Sequence, residues 1–186
     1  HHTQCDVIEG NDRVAVERGL AAIIAARAAQ DLVSEVRVPR FLAMAMAALG
    51  DPTGAEAVVN ANLILARKLK ILSIVSADLF GLCLLARIRG DWRGLKEHRD
   101  ALAGFANLRL EVQCLEALIV CDRGPLQDGV HALAAAVESV RSAGWGLQNS
   151  WPMAIVLLGA CAFGAHTYPA VAKDTAQALL GLRPVQ

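Results

Sequence analysis

Several residues in this chain have the type and spacing to do chemistry. His98 follows Glu97 and precedes Asp100, a carboxylate–imidazole neighbourhood suited to general acid–base work. It also shares a face with Leu95, Leu102 and Phe105, which reads as a histidine at the edge of a helix contact. His131 lies three residues after Asp128 and seven before Glu138, on the polar side of its helix. Asp78 interrupts the strongly apolar segment 71–86. A buried carboxylate is costly unless it is paired or hydrogen-bonded. Two readings of Asp78 therefore stand: a contact to a ligand or partner in a groove, or an acid in the first turns of a helix capped by Ser73 or Ser76, where the helix dipole favours it. Trp145 and Trp151 flank the connection 144–150 and read either as an aromatic wall for a ligand or as packing of an irregular joint.

The five cysteines (Cys5, Cys83, Cys114, Cys121 and Cys161) are odd in number and contain no C-x-x-C pair. They read as reduced, mostly buried thiols. H-E-x-x-H, G-x-S-x-G and G-x-x-x-x-G-K-[ST] do not occur. The expectation is therefore a non-enzyme, with no catalytic residue, no metal and no cofactor.

The elements that must position these residues are helices. The chain has 186 residues, 55% of them hydrophobic and 4% aromatic, and Ala and Leu make up about a third of the total. That excludes a disordered chain. Eighteen basic residues balance eighteen acidic ones, so the surplus of cations that holds nucleic acid is missing and no direct nucleic-acid contact is expected. The apolar runs 71–86 and 153–165 are too short to cross a bilayer. No basic segment followed by an apolar run opens the chain, so a cytoplasmic location without membrane contact is expected.

A recurring break organises the helices. Gly10-Asn11-Asp12, Gly50-Asp51-Pro52, Gly90-Asp91-Trp92, Gly124-Pro125 and Gly164-Ala165-His166-Thr167 lie 40, 40, 34 and 40 residues apart. Glycine closes one helix in the left-handed conformation, and Asn, Asp or Thr caps the next. Each interval holds two helices. The first has a core stripe of Val16, Leu20, Ile23 and Ile24, then a helix over 41–49 that begins after Pro39. The second pairs an amphipathic helix, 55–70, carrying Glu56, Asn60 and Arg67, with a nearly apolar one ending near Arg89. Next come a helix with Leu95, His98, Leu102 and Phe105 on one face, and another over 111–122. Leu126, Val130, Leu133, Val137 and Val140 form a stripe at helical spacing, and helices over 151–164 and 169–182 follow. The expected fold is all-α: an α-solenoid of about four antiparallel hairpins plus a terminal helix. Residues 1–186 are expected to form a single helical-repeat domain, a fragment of a longer protein.

The Gly-Asp breaks, with Ala- and Leu-rich pairs such as Leu63-Ile64-Leu65-Ala66-Arg67 and Leu84-Leu85-Ala86-Arg87, resemble tetratricopeptide-type regions. More narrowly, they are similar to the helical repeats of large bacterial regulators with a nucleotide-binding switch domain and, in many members, a LuxR-type DNA-binding terminus. The resemblance implies a sensor and interaction module of a cytoplasmic transcriptional regulator. Its partners would be other domains of the same regulator, a partner protein or a small-molecule effector. Two alternatives stand beside it: an assembly scaffold that self-associates as a homo-oligomer, and an enzyme whose chemistry leaves no motif. If an effector binds, polar stripes on the helices after each glycine offer Asn60, Arg67, Arg99 and His131. Asp78, Trp145 and Trp151 would supply a deeper contact and an apolar wall.

Overall fold

A computed structural model describes residues 2–143, together with positions 159, 170, 173–175 and 177. The described residues are helical, with no strand among them. The chain divides into two compact units, His1–Gly104 and Phe105–Gln186. The first holds α1 (His2–Ile8), α2 (Asp12–Ala28), α3 (Leu32–Ala48), α4 (Pro52–Lys68), α5 (Leu72–Ile88) and α6 (Trp92–Leu102). Consecutive helices pack as antiparallel hairpins, and the odd-numbered row also meets itself, α1 on α3 and α3 on α5. This is the all-α, solenoid-like stacking the breaks imply.

The first unit keeps a 20-residue register, half the spacing visible in the glycines. Helices α2 to α5 each have 17 residues and are separated by turns of three, so their starts lie 20 residues apart. Every turn closes the same way. At the second break the Gly50 amide donates to the Ala47 carbonyl and the Asp51 amide to the Met46 carbonyl, a Schellman closure that satisfies carbonyls the helix leaves over. The same pair of bonds closes α1, α2, α4 and α5. The left-handed residue is Gly10, Gly50 or Gly90 at one end of the unit, and Gln30 (φ 55°) or Lys70 (φ 56°) at the other. These two breaks escape a search for glycine. Asp31, Asp51 and Asp91 then cap the following helices, accepting from the amides of Ser34, Gly54 and Gly94. Asn11 makes no such bond, and Ile71 has no side chain able to.

Three sequence expectations need correcting. Pro39 does not precede a helix over 41–49; it lies inside α3, buried, with Val36, Leu42, Ala43 and Ala45 around it on the packed face. The missing amide costs about 3 kcal/mol in an isolated helix, and contacts to α2 and α4 on either side hold the helix continuous here. The stripe on α2 is covered only in part: Val16 and Ile23 are half-buried, Leu20 and Ile24 are 50% and 68% exposed, and the fully buried face is Ala15, Gly19 and Ala26. Small residues win because α3 comes close; a Cβ on Gly19 would lie 3.2 Å from the Leu42 Cβ. Finally, α6 stops at Leu102, so Phe105 leaves the face of Leu95 and His98 and instead opens a 3-10 turn, Ala106–Leu108. In contrast, α5 is buried along nine of its 17 residues, as a helix flanked by α3, α4 and α6 must be.

The second unit holds α7 (Arg109–Arg123) packed on α8 (Leu126–Ala143) around Cys114, Leu115, Leu118, Leu133 and Val140. Its break works differently. Gly124 is extended (φ −83°, ψ 173°), as expected of a residue before proline. A Cβ there would lie 2.8 Å from the Val120 carbonyl oxygen, so close approach explains this glycine better than handedness. The expected connection 144–150 lies outside the described residues, as do most of the two helices expected after it. Among the described residues no helix is long and apolar enough to cross a membrane.

Candidate functional site

The helix register isolates one polar residue in an apolar column. Leu42, Leu82 and Leu102 occupy the eleventh position of α3, α5 and α6, all essentially inaccessible, and Asn62 takes that place in α4 at 4% exposure. Both Asn62 amide hydrogens are used. Nδ2 donates to the Val36 carbonyl of α3 at 3.0 Å and to Asp78 Oδ2 of α5 at 2.8 Å, so one side chain stitches three helices. Asp78 itself is 1% exposed. Arg40, one helical turn after Val36, stands near enough for its charge to act on Asp78, with its guanidinium carbon 4.5 Å from the Phe41 ring centre.

Burial pushes the Asp78 carboxyl up to about 7, against the opposing pull of the Asn62 hydrogen bond and the Arg40 charge. Desolvation therefore wins, and Asp78 exchanges a proton near neutral pH. Burial likewise lowers the Arg40 guanidinium, with Asp78 acting the other way. Arg40 Nε, Asn62 Oδ1 and Asp78 Oδ1 are buried without a hydrogen-bond partner. The cluster thus presents one donor and two acceptors inside the stacked hairpins, and each unmet group costs about 1–3 kcal/mol. Such a cluster can bind or release a proton and set the spacing of three helices. At 1% exposure, Asp78 has no surface on which to meet a substrate.

Asp78 is the one sequence-expected site residue that belongs to this cluster. Its reading as an acid in the first turn of a capped helix is overturned. Helix α5 begins at Leu72 after Ile71, and the Ser76 hydroxyl donates to the Ser73 carbonyl rather than capping anything. Asn60, two residues from Asn62, faces solvent on α4. Arg67 is exposed in the last turn of α4, where its charge reaches His98. Arg99 is half-buried and pairs with Asp100 at 2.9 Å. His131 is exposed on α8 in the other unit. Trp145 and Trp151 lie outside the described residues. The sequence reading missed Asn62 and Arg40. Asn62 becomes visible once the chain is written in rows of twenty, where it breaks a column of leucines. Arg40 sits between Val38-Pro39 and Phe41-Leu42, a lone charge in an apolar run.

Other reactive groups are quiet. Burial lowers the half-buried His98 and favours its neutral form, Glu97 and Asp91 opposing. Burial pushes the Cys83 and Cys114 thiols up to about 12, so neither is a thiolate at neutral pH. Cys121 is half-buried and Cys5 is exposed. Among the described residues no group of three His, Cys, Asp or Glu side chains could hold a metal ion.

No protein-family model, no curated protein and no solved structure matches this chain.

Proposed function

We propose that the chain is a helical-repeat interaction module that docks a protein partner, within a cytoplasmic bacterial transcriptional regulator of the type its repeats resemble. The observation that supports it most is a set of large apolar residues, one repeat apart, that the core does not use. Ile24 and Ile64 are 68% and 70% exposed at the same position of α2 and α4, and Leu32 and Leu72 open α3 and α5 in the same exposed state. Apolar side chains repeated along a stacked array are a surface built for contact. The buried Asn62–Asp78 bond fits the same role, since it keeps the hairpins that carry those residues in register.

Crosslinking mass spectrometry in the native host tests the reading. Crosslinks from the first unit to a second polypeptide, or to a switch or DNA-binding domain of the same reading frame, are expected. Crosslinks confined to residues within the unit would sink it. A reading frame without either flanking domain would remove the regulator context and leave the docking module.

A further inference from the structure

The two ends of the first unit differ in chemistry. Turns 9–11, 49–51 and 89–91 lie at one end, and each uses glycine in the left-handed position. Turns 29–31 and 69–71 lie at the other, where Gln30 and Lys70 adopt that conformation although a non-glycine residue there costs about 1–2 kcal/mol. The end that keeps these side chains also carries a surface repeat. Ile24, Arg27, Gln30 and Leu32 return 40 residues later as Ile64, Arg67, Lys70 and Leu72. Ile24, Arg27, Leu32, Ile64, Arg67 and Leu72 are all exposed.

Charge separates the two copies. In the first, Arg27 donates to Glu35 at 2.8 Å and is locally balanced. In the second, Arg67, Lys68 and Lys70 fall within four residues, and no acidic residue occurs from Ile64 to Ala77. The opposite end also exposes Ile8, Leu49 and Ile88, but there Glu9, Asp12, Asp51 and Asp91 accompany its arginines, and Arg89 pairs with Glu56. At the end with turns 29–31 and 69–71, the second copy sets Arg67, Lys68 and Lys70 beside the exposed Ile64 and Leu72 with no acidic residue in its own turn.

We propose that this end is a docking edge for an acidic, apolar-anchored segment of a partner protein. Ile64 and Leu72 receive its apolar side chains, and Arg67, Lys68 and Lys70 face its carboxylates. Ile24 and Leu32, one hairpin away, extend the apolar contact. A protein segment fits better than a lipid surface because the cations without an acidic partner in their own turn are confined to one of the two copies. Three cations contribute only about 1 kcal/mol each at an anionic membrane, whereas the apolar anchors repeat in line from hairpin to hairpin. This inference rests on the interaction-module reading and adds to it a location and a partner chemistry.

The test uses the full chain and fluorescein-labelled short peptides composed of Asp, Glu, Leu, Ile and Phe, with a matched set carrying Lys and Arg in place of the acids. Anisotropy should show the acidic set binding at least about tenfold more tightly, and weakening as salt rises. Ile64→Asp and Leu72→Asp should each weaken binding about tenfold, and Lys70→Glu several-fold, whereas Ile8→Asp and Ile88→Asp at the opposite end should leave it unchanged. Thermal melts of these exposed-site variants should match the parent, separating lost docking from lost folding. Equal affinity for the two peptide sets would overturn the proposal, as would indifference to Ile64→Asp and Lys70→Glu. Binding to phosphatidylserine vesicles with no binding to acidic peptides would overturn it in favour of a lipid surface. Partner crosslinks on another face, with acidic peptides unbound, would overturn this edge while the module reading stood.

Discussion

The two units solve the same problem, joining antiparallel helices, by different local chemistry. In the first, a left-handed residue repeats with a 20-residue beat, followed at three of the five turns by an aspartate cap, so α2 to α5 have the same length and present the same columns. In the second, Gly124-Pro125 stops α7 with extended backbone and no left-handed residue. The interiors differ as well. The α7–α8 pair closes over cysteine, leucine and valine side chains, whereas the first unit places a carboxylate, a carboxamide and part of a guanidinium among α3, α4 and α5. A strict register fixes where such a cluster sits, because each column recurs at the same height in successive helices.

The largest effect should come from breaking that cluster. We expect Asn62→Leu to complete the leucine column but leave Asp78 buried without its donor, lowering stability by about 3 kcal/mol in urea unfolding at pH 8. Asn62→Leu combined with Asp78→Leu should recover at least half of that loss, since removing both partners leaves no stranded charge. If the double variant is no better than the single, the polar pair is required for the register itself.

The pH dependence of the first unit follows from the same carboxyl. Its folded value of about 7 lies above its ordinary 3.8, so the folded state holds a proton that the unfolded chain releases. The stabilising contribution is complete below about pH 3.8 and is lost as pH rises towards 7, by an amount on the order of 4 kcal/mol. Asp78→Asn is neutral throughout. The stability of the parent minus that of Asp78→Asn, measured by denaturant titration, should therefore fall across this window and stay flat above it. A constant difference would show that Asp78 ionises in place without penalty.

The smallest effects sharpen the contrast between the two kinds of break. Gly50→Ala should cost about 1 kcal/mol through its left-handed φ, and Lys70→Gly should gain roughly as much. Gly124→Ala has no such handedness penalty and should destabilise only through its contact with the Val120 carbonyl. Thermal melts of the three variants, compared with one another, check the assignment. A gain from Gly124→Ala would mean that the α7 end relaxes readily.

The sequence by itself determined the elements whose cause is local. A Gly-Asp break acts through bonds spanning a few residues, so Gly50-Asp51 and Gly90-Asp91 announce where helices stop and start, and the apolar run 71–86 announces a helix covered on several sides. Asp78 stood out for the same reason, a charge in an apolar context. Only the tertiary structure decided what depends on neighbours distant in the chain. The face of α2 that is buried follows from how closely α3 approaches Gly19, which no stripe of Leu20 and Ile24 can report. Pro39 stays within a helix because flanking helices hold it there. The partner of Asp78 is Asn62, sixteen residues away on another helix, and the Val36 carbonyl that shares its amide is a further twenty-six away. Caps and turns are set by torsions and bonds within one turn of chain, whereas burial and polar pairing are set by which surfaces meet.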